Sequence, residues 1–186
     1  FHSNHLIENL INELEKNIKI IIIENSLNVD LKMHLEKKFE NVQVIIPETN
    51  LGNGGGINLG LRQVKTEYSL YLDADVIPEN DMIDTLLKWT DKFKNFSMLA
   101  ARELNYHYRD DQYINREKSK NYHKMRLITG CVLLFNMKSL SKTGYFDENI
   151  FLYYEEHDLF HRCIKLGLDI YMIDDAQFNH GGTSSA

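Results

Sequence analysis

Cysteine is scarce in this sequence: only Cys131 and Cys163 occur among 186 residues. Both sit in apolar or helical surroundings without metal-ligand spacing. They read as reduced structural thiols of an intracellular protein, with a buried pair as the alternative. A basic excess is also missing. The 27 acidic residues outnumber the 21 Lys and Arg, and the net charge of -6 argues against a nucleic-acid-binding surface. No apolar run is long enough to cross a membrane, and no signal peptide opens the chain. Internal repeats and low-complexity tracts are absent as well. The sequence opens on Phe1 rather than Met, and so reads as a piece of a longer protein. What remains is ordinary, with 43% hydrophobic and 26% charged residues. That composition fits one globular domain over 1–186, large enough to bury a core.

The most informative stretch is Ser69-Leu-Tyr-Leu-Asp-Ala-Asp-Val76, in which apolar alternation ends in two carboxylates separated by Ala74. It predicts a buried strand that delivers Asp73 and Asp75 to its carboxyl edge, where open α/β sheets bind ligands. Two acids with no Lys or Arg beside them suit a divalent cation. A surface turn is the plainer explanation.

Around this stretch, strands and helices alternate. Leu6 to Leu14 has a helical period with Ser3 or Asn4 as cap, and Lys19 to Ile23 is a β-branched run expected to be buried on both faces. A helix over Leu31 to Phe39 and a strand over Val42 to Ile46 come next. Asn50 to Gly60 then holds five of the ten glycines, before a helix continues over Leu61 to Val64. Beyond the acidic strand come a helix from about Asn80 to Lys94 and a strand at Ser97 to Ala101. Glu103 to Arg126 is polar, tyrosine-rich and without clean period, which fits a long loop or hairpin. Gly130 to Phe135 is a strand, Met137 to Lys142 a short helix, Glu155 to Leu166 a helix stopped by Gly167, and Asp169 to Ile173 a last strand. The alternation predicts an α/β fold with a doubly wound, mostly parallel sheet flanked by helices.

Several clusters bear chemistry. The glycine-rich segment could bring backbone N–H groups to a phosphate ahead of a helix, or could simply cap that helix. It is neither a P-loop nor a dinucleotide fingerprint. Glu24-Asn25-Ser26 could bond a nucleobase or ribose, although such turns commonly follow strands. Tyr153-Tyr-Glu-Glu-His-Asp158 is a second acidic cluster. Acids at a helix start fit its dipole, while crowded like charges are one way to make a general base. His157 and His161 share a helix face at metal-binding spacing, but no companion acid motif accompanies them. His180 could ligate a metal or end the domain, and Arg162 reads as a salt-bridge partner for the acids.

Taken in order, these segments resemble glycosyltransferase family 2, the inverting enzymes of GT-A fold, and especially its rhamnosyltransferase-like bacterial members. Phe1-His-Ser3, Ile20 to Ser26, Asn50 to Gly60, Asp73-Ala-Asp75, Gly144 to Glu148, Phe151 to Leu159 and His180 to Ser184 carry the resemblance. The match begins after the family's first strand, so that strand is expected to be missing from this piece. The resemblance implies a nucleotide-diphosphate sugar donor (a dTDP- or UDP-sugar), an Mg²⁺ or Mn²⁺ ion and a saccharide or lipid-linked saccharide acceptor. It puts the donor on Glu24, Asn25, Ser26, Asn50, Gly52, Asn53, Gly56, Asp73 and Ala74, and the metal on Asp75 and His180. The base is the second acid of the Glu-Asp pair, here Glu156, where the family usually has Asp; Asp158 and Glu155 are the alternatives. Residues 1–102 would form the nucleotide-sugar half and 103–186 the acceptor and catalytic half, with the tyrosine-rich segment near the acceptor.

The expected function is inverting sugar transfer in bacterial polysaccharide synthesis, in the cytoplasm or at the inner face of the membrane. Any membrane contact would lie with regions outside 1–186. The rivals are a nucleotide-sugar-binding domain without efficient catalysis and a nucleotidyltransferase. The second would usually need a basic residue in the glycine-rich segment, which has none.

Overall fold

The computed structural model describes residues 4–79, 81–116, 121–128 and 130–180. The expected features at Phe1 to Ser3, Asn80 and Gly181 to Ser184 lie outside these residues. The described residues group into two compact units. The first runs up to Lys65 and includes Phe146–Glu155; the second is Thr66–Tyr145 and resumes at Glu156.

In the first unit, α1 (Asn4–Glu13) precedes β1 (Ile20–Ile23), α2 (Val29–Lys38), β2 (Val42–Ile45) and α3 (Gly52–Leu61). Strands β1 and β2 pair in parallel, with Ile20 opposite Val42 and Ile23 opposite Ile45. Ile11, Leu35, Val42 and Val44 form the core. Asn28 caps α2 by accepting from the Leu31 amide at 3.0 Å, as a short polar side chain before a helix should. The four isoleucines of β1 are half-buried, not buried on both faces as expected, because β2 is their one strand partner among the described residues.

The glycine-rich segment departs furthest from expectation: Gly52 to Leu61 is itself the helix. Glycine costs about 0.5–1 kcal/mol relative to Ala at a helix position, so packing has to justify this one. A Cβ at Gly52 would lie 2.2 Å from the Phe151 carbonyl oxygen, and one at Gly54 would lie 3.1 Å from the Phe146 Cβ. At Gly56 it would meet Asn25 Nδ2 at 3.1 Å. The missing side chains let α3 lie against Asn25 and the 146–155 segment.

The second unit is a seven-stranded sheet. Its strands are β3 (Tyr68–Leu72), β4 (Val76–Pro78), β5 (Phe96–Glu103), β6 (Tyr113–Asn115), β7 (Tyr122–Met125), β8 (Val132–Asn136) and β9 (Asp169–His180). The order is β3-β8-β5-β9-β7-β6, with β4 also on β9. Helices α4 (Met82–Thr90), α5 (Met137–Thr143) and α6 (Glu155–Lys165) accompany it. The α/β class holds, but the sheet is mixed. Among described strands only β1·β2 and β5·β9 pair in parallel, so the expected parallel majority is corrected. The core gathers Leu86, Phe96, Leu99, Leu134, Ile173 and Phe178. In the tyrosine-rich stretch the hairpin reading is the right one, because β6 pairs antiparallel with β7. Cys131 and Cys163 are both free thiols.

Candidate functional site

Strand register assembles the acidic site of the second unit. Leu72 pairs with Val132, and the Asp73 amide continues that ladder by donating to the Cys131 carbonyl at 2.9 Å. Val76 pairs with His180, the last residue of β9, which brings the imidazole beside Asp75. His180 Nε2 lies 3.2 Å from Asp75 Oδ1, and its Nδ1 lies 3.5 Å from Glu103 Oε1. Donor atoms of Asp73, Cys131 and His180 all fall within 4.8 Å of one another. The two residues expected to hold a metal, Asp75 and His180, are thus neighbours. The apolar-alternation pattern missed Glu103 and Cys131, which sit at strand ends with no motif to mark them.

Tyr71 donates its hydroxyl to Asp73 Oδ1. Burial pushes the Asp73 carboxyl above the usual range, opposed by hydrogen bonds from Tyr71 and Cys131, while the Asp75 charge adds to the rise. A cation would relieve both the burial and the like-charge penalty. The donor chemistry fits a hard divalent ion: carboxylate and imidazole are at hand, and phosphate or water oxygens can complete the shell. Burial, followed by the Asp73 charge, pushes the Cys131 thiol pKa up.

The second acidic cluster opens α6, and its three carboxylates have three different surroundings. Glu155 is buried, and its Oε1 accepts from Asn53 Nδ2 at 2.5 Å. Asp158 receives two bonds from Arg162, from Nε at 2.9 Å and Nη2 at 2.7 Å. Arg162 also donates to the carbonyls of Thr143 and Tyr145, each at 2.7 Å, so the expected salt bridge is part of a structural knot. Glu156 alone of the three lines a cavity of about 510 Å³, with Tyr106, Arg109, Gln112, Ile128 and His157 among its other walls. Its side chain rests against Gly130, where a Cβ would stand 3.3 Å from Oε1. Gly130 and Cys131 are consecutive, so one short segment touches Glu156 on one side and Asp73 on the other. His161, the other member of the expected histidine pair, is exposed.

In the first unit, most residues expected to bind a donor are engaged by the protein. Glu24 is buried and accepts from the Ser26 amide at 2.7 Å. Asn25 donates to the Gly52 carbonyl at 2.8 Å and accepts from the Leu51 amide at 3.1 Å. Asn50 accepts from the Gly52 amide at 2.9 Å, and the Asn53 amide donates to the Phe151 carbonyl at 2.9 Å. The amides of Leu51, Gly52 and Asn53 at the start of α3 therefore have partners within the protein. Asn58, which sequence reasoning passed over, is fully buried. It bonds the Phe146 amide and carbonyl at 3.0 and 2.9 Å, and Glu148 at 2.9 Å.

A mixed α/β arrangement, with a central sheet flanked by helices, matches the GT-A fold of the solved structures named below. Residues 4–164 match the model of glycosyl transferase family 2, and the chain belongs to that family. Among solved structures, it resembles the mannosyltransferase PcManGT from Pyrobaculum calidifontis in complex with GDP-Man and Mn²⁺. That match has a TM-score of 0.77 and 14% identity over 100% of this chain and 56% of that one. S. aureus TarS 1-349 in complex with UDP-GlcNAc matches at 0.74 with 16% identity, covering 100% of this chain and 57% of that one. GalNAc-T7 with UDP, GalNAc and Mn²⁺ matches at 0.72 with 12% identity, over 92% of this chain and 39% of that one. The chain thus spans between about two fifths and three fifths of the length of these structures. No curated protein matches it significantly in sequence. Among the described residues, no helix is long and apolar enough to cross a membrane.

Proposed function

We propose that this chain is the catalytic part of an inverting, metal-dependent glycosyltransferase, rhamnosyltransferase-like, which builds bacterial surface polysaccharide from a dTDP- or UDP-sugar. The observation that carries the reading is Glu156, the one acid of the α6 cluster that borders a cavity. The cavity would take the acceptor, a saccharide or lipid-linked saccharide. Its hydroxyl oxygen bonds to the anomeric carbon of the sugar as that carbon's bond to the diphosphate breaks. The electron pair leaves with the diphosphate, and the proton passes to Glu156. Glu156 is one methylene longer than the Asp usual at this position, and the absence of a side chain at Gly130 gives it room.

Asp75 and His180 would hold an Mg²⁺ or Mn²⁺ ion, which supplies positive charge for the leaving diphosphate. Asp73, held by the Tyr71 hydroxyl and by the hydrogen bond its amide donates to the Cys131 carbonyl, is the nucleoside-side acid of the second unit. Within the first unit, the proposed nucleoside contact is Glu24. The PcManGT complex with GDP-Man and Mn²⁺ and the GalNAc-T7 complex with UDP, GalNAc and Mn²⁺ support the cofactor assignment.

A thermal-shift screen of UDP- and dTDP-sugars on the full-length protein tests the donor reading. We expect stabilisation that requires Mn²⁺ or Mg²⁺ and is lost in Asp75→Asn. Equal stabilisation with and without metal would remove the metal assignment.

A further inference from the structure

We propose that Asn53 is a positioning residue for the catalytic base, a two-point clamp on the segment that leads into α6. The inference rests on the reading of Glu156 as that base. Two bonds leave this one residue. Its amide donates to the Phe151 carbonyl at 2.9 Å, and its Nδ2 donates to Glu155 Oε1 at 2.5 Å. Leu152, Tyr153 and Tyr154 are held between these anchors, and two of them are bent into a conformation that bulky residues avoid. Tyr153 has φ of 65° and Tyr154 has φ of 70°. Such backbone persists only where the surrounding structure over-determines it. Burial does not fix it here, since Phe151, Leu152, Tyr153 and Tyr154 are all exposed. The two Asn53 bonds flank it on either side, and the missing Cβ of Gly52 admits the Phe151 carbonyl.

The consequence falls on the next residue. Glu155 opens α6 and is pinned, so Glu156, about 100° further round the same first turn, has its direction set. A slip of that turn would carry the Glu156 carboxylate off its target. A displacement of about 1 Å can cost on the order of a hundredfold in rate. The family resemblance put Asn53 on the donor and Glu155 among the candidate bases; in the structure Asn53 Nδ2 donates to Glu155 Oε1.

The test compares Asn53→Ala, Glu155→Ala and Glu155→Gln in the full-length protein by two readouts. The first is chymotrypsin cleavage within residues 151–154. We expect at least about tenfold faster cleavage in both alanine variants, in excess of what their lowered global stability accounts for, and a lesser effect in Glu155→Gln, which keeps an oxygen acceptor. The second is nucleoside-diphosphate release from dTDP-rhamnose and UDP-glucose. For the alanine variants we expect kcat to fall about tenfold with donor KM within about twofold, and the double variant to lose no more than either single one. Unchanged cleavage in Asn53→Ala overturns the clamp. A raised donor KM with kcat preserved overturns the positioning role and returns Asn53 to the donor. If Asn53→Ala fails to fold, Glu155→Gln decides: cleavage as fast as in Glu155→Ala contradicts a hydrogen-bond clamp. Full turnover in Glu156→Gln would remove the base reading and leave the cleavage result standing.

Discussion

Asn53 and Glu155 lie 102 residues apart in sequence and 2.5 Å apart at Nδ2 and Oε1. Each had a separate expected job, one at the donor and one as a candidate base, and in the structure Asn53 donates to Glu155. Asp158 is similarly committed to Arg162. Of the three acids that open α6, the cavity is left to Glu156.

Asp158→Asn should therefore cost stability more than chemistry. The pair is partly exposed, so we expect about 1 kcal/mol from urea unfolding, with sugar transfer still readily measured. Arg162→Ala should cost more, about 2–3 kcal/mol, because the carbonyls of Thr143 and Tyr145 lose their donor as well. Abolished transfer in a folded Asp158→Asn protein would make Asp158 the base.

Gly130→Ala tests how closely Glu156 must be seated. The new methyl would stand 3.3 Å from Oε1 and 3.4 Å from Cγ, a contact that has to push the carboxylate aside by a few tenths of an ångström. We expect kcat to fall about tenfold while the melting temperature and donor affinity hardly move.

Glu148 supplies a pH signature for the first unit. Hydrogen bonds from Asn58 and then Arg62 hold its carboxyl below the usual range. A carboxyl depressed on folding adds stability that is present above its unfolded value of about 4.3 and is lost as pH falls through the folded value. Glu148→Gln should accordingly flatten the acid side of the stability profile below about pH 4.3 and leave its neutral region with little pH dependence. The amplitude should be small, because this carboxylate is half exposed. An unchanged acid limb would show that the bonds from Asn58 and Arg62 contribute nothing.

The element order was readable because long apolar periods and turn residues mark it. Leu159, Phe160 and Cys163 bury one face of α6, as the helical spacing in that stretch predicts. Strand direction was not readable. Antiparallel β8 lies between β3 and β5, and its run Val132 to Phe135 is as apolar as any parallel core strand. The helix over Gly52 to Leu61 was hidden because glycine has poor intrinsic helix propensity; the reason it forms lies in Phe146, Phe151 and Asn25, far away in sequence. β9 outruns the expected strand by seven residues, from Ile173 to His180, since Asp174, Asp175 and Gln177 interrupt its apolar pattern. That extension carries His180 to Asp75. Asp73, Asp75 and Glu156 could be picked out by acid pattern and family resemblance. Gly130, Cys131 and Glu103 could not, because strand register alone brings them to the acids.

The most direct measurement is nucleoside-diphosphate release by full-length Glu156→Gln beside Asp158→Asn, at saturating donor and acceptor with Mn²⁺. We expect Glu156→Gln to lose on the order of 10²–10⁴-fold in kcat while still binding donor, and Asp158→Asn to stay within about tenfold of the unaltered protein. Near-normal turnover in Glu156→Gln would contradict the assignment of the base and, with it, the mechanism built on this cavity.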